Sequence, residues 1–250
     1  MFKRTIKADR ALPKHISIIM DGNGRWAKKR MMPRSFGHKA GMERMVGLIE
    51  HAFSLGVEYV TVYALSTENL KRPKEELEGL YDLIRNHFVS YMSRLCSNGI
   101  RLRVIGDISL LPQDVQEILI AEQEKTAHLT GKGLQMALCY GARDEIVRAV
   151  NTAVQKGEQV DEQSFANLLY TADIPDPDLM IRTGGEVRLS NFLLYQSAYA
   201  ELYFSKVMFP AFSDKQLEKA IQWFGSRVRR FGKTNEQLHQ EKVNKVDGKE

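Results

Sequence analysis

His15-Ile16-Ser17-Ile18-Ile19-Met20-Asp21-Gly22-Asn23-Gly24-Arg25-Trp26-Ala27 is the stretch on which the reading of this chain turns. Ile16 to Met20 is a short apolar run rich in β-branched side chains, so it reads as a buried strand. Asp21 falls at its carboxyl end. Gly22 and Gly24 follow at alternate positions, where backbone amides can point inward with no Cβ in the way. From Trp26 to Arg30 the pattern is basic and helical. Ligands of open α/β sheets sit outside the carboxyl ends of the strands. A carboxylate, free amides and Arg25 gathered there suit a metal-bound phosphate.

Outward from that stretch, strands alternate with helices. Gly37-His38-Lys39 leads into a helix whose stripe is Met42, Met45, Val46, Ile49, Ala52 and Phe53, with Gly56 as its stop. Tyr59 to Leu65 reads as the second strand, followed by a polar loop from Ser66 to Pro73. Pro73 opens a long helix with apolar Leu77, Leu80, Tyr81, Ile84, Phe88, Tyr91 and Leu95. Further strands are expected at Ile100–Ile105, Leu134–Cys139, Leu179–Ile181 and Leu202–Phe204. Between them Pro112 starts one helix, and Ile146, Val147, Val150 and Val154 form the apolar stripe of another. Ser213 and Gln216 spell a capping box for the last helix, Phe212 and Leu217 a hydrophobic staple, and its stripe runs on through Val228 and Phe231. The expectation is one α/β domain with a central, mostly parallel six-stranded sheet flanked by helices. Residues 1–14 read as a flexible arm and 233–250 as a polar, disordered tail.

Composition narrows the function less than the pattern does. The chain has 250 residues, 43% hydrophobic and 27% charged, enough for a substantial core. Its net charge of +5 fits anionic ligands, an anionic membrane surface or nucleic acid, and chooses none of them. Cys96 and Cys139 have no CxxC spacing, so neither a disulfide framework nor a zinc site is expected, and a reducing compartment is the default. No apolar run reaches spanning length, and the basic N-terminus lacks the run of a signal peptide. Nucleic-acid binding lacks any recognisable module. Gly22-x-Gly24-x-x-Ala27 matches a dinucleotide fingerprint, but the acid wanted about 20 positions on, at the end of the next strand, is missing.

Three polar loops fall at strand carboxyl ends: Asp21–Trp26, Ser66–Arg72 and Arg182–Ser190. The topology puts all three on one rim, where they offer Asp21, Arg25, Asn69, Arg72, Arg182 and Arg188. Arg34, His38 and Glu201 lie nearby in sequence. Arginines beside one or two carboxylates fit a diphosphate with Mg²⁺, which takes few carboxylates and several phosphate oxygens. Each residue alone reads blandly. A lone Asp after a strand is most often a helix cap, Arg182 and Arg188 are solvated charges, Glu201 is an exposed residue, and the stripe of the long helix is core. Convergence on one rim is what points to a site.

At these loops the sequence resembles the cis-prenyltransferases, and among them the bacterial undecaprenyl diphosphate synthases. The motifs are D-G-N-G-R-W-A, G-H-K-A-G, S-T-E-N-x-x-R-P, R-T-G-G-E-x-R-L-S-N-F-L-L-Y-Q and Y-A-E-L-Y-F, in order from His15 to Gly232. The resemblance implies a prenyltransferase domain over 15–232. It implies sequential extension of an allylic diphosphate, typically farnesyl diphosphate, by isopentenyl diphosphate with Z geometry, to an undecaprenyl carrier for cell-wall synthesis. It implies Mg²⁺ on Asp21 and Glu201. Gly22, Asn23, Gly24, Arg25, Arg34 and His38 would hold the allylic diphosphate with Trp26 beside it. Arg182, Arg188, Leu189 and Ser190 would hold isopentenyl diphosphate. Ser66, Thr67, Glu68, Leu70 and Arg72 would border the substrates, and Asn69 would accept the proton. A growing chain needs an apolar tunnel, for which Ala64 and part of the stripe from Leu77 to Leu95 are the walls.

A homodimer, cytoplasmic and loosely held at a membrane through its product, is the implied assembly. Arg230-Phe231-Gly232 matches a family Arg-x-Gly that approaches the partner's active site. Leu70, Cys139 and Ala142 depart from the family's usual Trp, Asn and Gly. A non-catalytic subunit of the same fold is the main alternative, and a dinucleotide enzyme a lesser one. Loss of the diphosphate ligands would mark the first, and none is lost.

Overall fold

The computed structural model describes residues 12–229, together with residues 234 and 237. Its strands are β1 (His15–Ile19), β2 (Tyr59–Tyr63), β3 (Ile100–Ile105), β4 (Lys132–Ala137), β5 (Leu179–Arg182) and β6 (Glu201–Phe204). They form one sheet in the order β3-β4-β2-β1-β5-β6, and every neighbouring pair is parallel. Parallel pairing needs crossover helices, which cover both faces and leave the central strands dry. All five residues of β1 are buried accordingly. The helices are α1 (Asn23–Lys28), α2 (Arg34–Ser54), α3 (Lys74–Leu83), α4 (Val89–Cys96), α5 (Gln113–Thr126), α6 (Ala142–Lys156), α7 (Glu162–Ala166) and α8 (Asp214–Phe224).

Alternation along the strands separates two cores. Ile16, Ile18, Val60, Val62, Leu134 and Met136 join Ile49 and Phe53 of α2, Met92 of α4, Leu119 of α5 and Leu217 of α8 in the larger one. Each fully buried Ile, Leu or Phe there contributes about 2 kcal/mol. Ile19, Ile105, Ala137 and Met180, on the other face, pack with Tyr140, Phe192 and Leu193. On that second face, in register across three strands, also lie Ser17, Thr61 and Gln135, all buried.

Leaving β1, the chain turns one way to β2 through α2, while β5 joins the opposite edge of β1. The order therefore reverses at β1 and β5, the place where such sheets open a crevice at their carboxyl ends.

Three expectations need correction. In α6 the buried positions are Ala142, Glu145, Ala149 and Ala153, whereas Val147, Val150 and Val154 face solvent. Small alanines let α6 sit close, and the buried Glu145 carboxylate is satisfied by Tyr140, Gln196 and the Tyr170 amide. Ser213 caps α8 without a side-chain bond, so the capping box is not made, although the staple residues Phe212 and Leu217 are both fully buried. The helix after Pro73 runs unbroken to Cys96 as expected, with a π-helical turn at Ile84–Phe88 between α3 and α4. Val228, placed on the last stripe, is exposed. Phe231, the Arg-x-Gly at 230–232, the arm before Leu12 and the tail, save Thr234 and Gln237, lie outside the described residues. No described helix is long and apolar enough to cross a membrane.

Candidate active site

Asp21 follows β1, and Arg182 ends β5, on the two sides of the reversal point. Arg182 donates from Nη2 to Asp21 Oδ2 at 3.0 Å, and Arg25 from Nη2 to Asp21 Oδ1 at 2.9 Å. Burial pushes the Asp21 carboxyl up, but its two arginines outweigh that and hold it below the ordinary carboxylate value. Arg182 is buried, and its Nη1 also donates to Ser190 Oγ at 2.7 Å and to the Arg188 carbonyl at 2.5 Å. The loop that supplies these acceptors is strained. Ser190, Asn191 and Leu193 all hold positive φ, at 50°, 62° and 45°, outside the glycine positions that usually take it. Gly184, earlier in the loop, is needed twice over: it holds φ 85°, and a Cβ on it would sit 2.8 Å from Arg25 Nη2 and 2.9 Å from the Asp21 carbonyl.

The second polar loop folds as a short 3₁₀ turn, Thr67–Lys71. Ser66 caps it, accepting from the Asn69 amide at 3.1 Å, while Asn69 Oδ1 faces the Ser66 amide at 3.5 Å. Glu68 accepts from Asn191 at 2.9 Å and Thr67 donates to Asp144 at 3.1 Å, so this turn is tied to the strained loop and to α6. On the α2 side, Gly37 and Gly41 let α1 lie against α2. A Cβ at Gly37 would come within 2.1 Å of the Asn23 carbonyl, and one at Gly41 within 2.6 Å of Asn23 Oδ1.

These loops enclose a basin of about 990 Å³. Asp21, Gly22, Asn23, Gly24, Arg25, Arg34, His38, Ser66, Glu68, Asn69, Arg72, Arg182 and Ser190 all line it. Two of its buried polar atoms have no hydrogen-bond partner, Asn23 Oδ1 and Arg182 Nε, and His38 Nε2 has only the Glu76 carboxylate, 3.5 Å away. Burial is the chief reason His38 falls below its ordinary value; Glu76 opposes that, and Arg72 and Arg34 add to it. Met20, Ala64 and Leu80 are shared with an adjoining apolar cleft of about 90 Å³, walled also by Met42, Tyr81 and Ile84. Ala64 and part of the expected stripe are thus walls, while Phe88 and Leu95 belong to the solid core. At about 90 Å³ the cleft is small against a long polyprenyl chain.

Glu201 is not where Mg²⁺ sharing with Asp21 requires it. Leu179 of β5 pairs with Ile16 on one side and Glu201 on the other, so Glu201 lies level with Ile16, at the amino ends of the strands. Three residue rises, about 10 Å, and two strand spacings separate that level from the end of β1. Its carboxylate meets Arg227 at 3.3 Å instead. Two carboxylates of one chain so placed cannot share an ion whose oxygens stand about 2 Å away. Trp26, Thr67, Leu70, Arg188 and Leu189 also stay outside the basin lining. Trp26 carries Arg30 over its ring at 4.0 Å, Arg188 pairs with Glu186, and Leu70 and Leu189 pack on the two cores.

Sequence reasoning missed Glu76. This carboxylate, in the first turn of α3, meets Arg72 at 3.1 Å, Arg34 at 3.2 Å and His38 at 3.5 Å. Its spacing four residues after Arg72 on a helix was the available signal. Cys139, by contrast, is a buried residue with positive φ, and burial pushes its thiol up to about 12, so it is no nucleophile.

A family model described as "Putative undecaprenyl diphosphate synthase" matches residues 19–232. The isoprenyl transferase of Clostridium tetani is 47% identical over 228 residues, covering 88% of this chain and 89% of that protein. The chain belongs to the cis-prenyltransferases. Its fold agrees. Lavandulyl diphosphate synthase from Lavandula x intermedia, solved in complex with dimethylallyl diphosphate, superposes with a TM-score of 0.85 at 33% identity, covering 89% of this chain and 99% of that one. A Campylobacter jejuni structure described as a "probable undecaprenyl diphosphate synthase" gives 0.75 at 36% identity with the same coverage. This cis-prenyltransferase is therefore an enzyme, and the basin at the strand reversal is its candidate active site.

Proposed function

We propose that this enzyme extends farnesyl diphosphate by repeated Z-condensation with isopentenyl diphosphate, to a long polyprenyl diphosphate of undecaprenyl length. One observation carries the reading. A carboxylate clamped between Arg25 and Arg182 stands in a cationic basin that opens directly onto an apolar cleft. That combination suits a ligand with a doubly phosphorylated head and a greasy tail.

In each cycle the allylic carbon–oxygen bond breaks, the terminal alkene carbon of isopentenyl diphosphate bonds to the freed carbon, and one proton leaves. The Gly22–Gly24 turn, Arg25, Arg34 and His38 take the allylic diphosphate, and Arg182 with Ser190 takes that of isopentenyl diphosphate. Arginine forks match phosphate oxygens and stabilise the charge that builds there as the bond breaks. Asn69 stands at the basin wall as the group that receives the departing proton. Met20, Ala64 and Leu80 keep water from the electron-poor carbon. As the chain grows, the cleft must widen, and the π-helical turn beside Ile84 is where the wall can give.

Mg²⁺ fits Asp21. Among the described residues no three His, Cys, Asp or Glu side chains form an all-protein cage. A single partly exposed carboxylate suits an ion that arrives with its phosphates, where it would neutralise leaving-group charge. Arg188, on its loop, and Trp26, on α1, join the substrates only if those elements shift towards the basin.

A homodimer fits the outward valines of α6, which are 59%, 45% and 72% exposed at Val147, Val150 and Val154. Light scattering of the purified chain tests the dimer. The activity itself is tested with farnesyl and isopentenyl diphosphates plus Mg²⁺, followed by chromatography of the products. Extended products are expected from the chain alone and none after chelation. Clean, folded protein that gives no extended product would end the reading.

A further inference from the structure

We propose that the turn joining α1 to α2 is the surface by which this protein docks on an anionic lipid bilayer. The inference rests on the reading above, in which the product is a polyprenyl lipid.

All nine residues from 28 to 36 are exposed, and three of them are large and apolar: Met31 at 96%, Met32 at 44% and Phe36 at 57%. The turn closes α1 with two backbone bonds, Met31 N–H to the Lys28 carbonyl at 3.1 Å and Met32 N–H to the Ala27 carbonyl at 3.0 Å. In such a closure the residue at positive φ is usually glycine or asparagine. Here it is Met31, at φ 56°. A solvated methionine in that conformation bears backbone strain and returns no burial to the fold. Its apolar surface becomes useful only against something outside the molecule.

Charge says what that is. Between Gly22 and Met42 there are six Lys and Arg and no Asp or Glu. Arg25 and Arg34 line the basin, and Arg30 lies over Trp26. Lys28, Lys29 and Lys39 form no ion pair among the described residues. Exposed apolar side chains set among unpaired lysines match a bilayer interface with anionic headgroups, where the apolar groups enter and the ammonium groups meet phosphates. Position agrees as well. Lys28, Met32 and Pro33 are also wall residues of the basin, so docking through this turn sets the mouth of the active site against the lipid.

The test is co-sedimentation of the full chain, without substrate, with vesicles of phosphatidylglycerol in phosphatidylcholine and with pure phosphatidylcholine. Wild type is expected to pellet with the anionic vesicles only, and to be released by salt on the order of 1 M, where charges are screened within about 3 Å. Lys29→Gln with Lys39→Gln is expected to weaken partitioning about thirtyfold, from two lost cation–headgroup contacts. Met31→Asn with Phe36→Ser is expected to weaken it about tenfold by loss of apolar insertion. Asparagine tolerates the left-handed turn, so the fold is kept. Turnover in detergent should not change in either variant. Wild type that ignores anionic vesicles, or variants that bind them as wild type does, overturns the proposal. An enzyme active in detergent but indifferent to vesicles sinks docking alone. One that binds vesicles but never extends farnesyl diphosphate sinks the proposed reaction alone.

Discussion

The two rims of the sheet both carry charge, and only one of them carries an active site. At the carboxyl ends Asp21, Arg25 and Arg182 meet, and at the amino ends so do Asp178, Glu201, Arg227 and Arg229. The amino rim is a closed account. Asp178 accepts from the Lys14 and His15 amides at 2.8 and 3.2 Å and from Arg229, and so ties the starts of β1 and β5 together. The carboxyl rim has a basin, buried polar atoms without protein partners and a run of strained residues. Ion pairs are thus poor markers of function by themselves. Unmet hydrogen-bonding capacity beside open volume is the better one.

The rims can be set against each other by substitution. Asp21→Ala is expected to lower turnover by about three orders of magnitude, the several kcal/mol that a metal-held leaving group supplies. Steady-state kinetics on folded protein checks this, and turnover near normal would remove Asp21 from the reaction. Arg182→Lys keeps the charge but loses the fork, so KM for isopentenyl diphosphate should rise about tenfold to a hundredfold. An unchanged KM would show that the diphosphate binds elsewhere.

On the amino rim the effects should fall on stability instead. His15 is buried, with Nδ1 2.6 Å from the Pro175 carbonyl and Nε2 2.8 Å from Thr61 Oγ1, and burial lowers its pKa to about 4. The folded chain holds it neutral, while the unfolded chain protonates it near 6.5. Stability from this residue is therefore full above pH 6.5 and declines as pH falls towards 4, by on the order of 3 kcal/mol. Urea unfolding of wild type and His15→Gln across that window should show the slope in the first and its loss in the second. Parallel slopes would refute it. Smallest of all, Glu201→Gln removes a half-exposed pair with Arg227, so unfolding should change by less than about 1 kcal/mol and Mg²⁺ activation by less than about fivefold. A shift like that of Asp21→Ala would mean that a second chain brings Glu201 to the ion.

Much of this architecture was readable in the residues. Short apolar runs gave six strands, and polar loops after three of them gave the rim, because period and punctuation are local properties. What was not readable depended on register and on neighbours. Glu201 is the first residue of β6, and nothing local says which end of the sheet that strand's start will face. The valines of α6 look like a buried stripe until Glu145 finds its three donors. Glu76 was hidden because its partners come from α2 and from the turn before α3, and only folding gathers them.

Glu76 has one more consequence. Arg34, His38 and Arg72 are drawn round a carboxylate of the chain itself. An arriving anion must outbid an incumbent rather than fill a vacancy. A singly charged head offers these two arginines nothing that Glu76 does not, whereas a diphosphate offers several oxygens and more charge. The pocket thereby sorts its visitors by valence before any of them reacts.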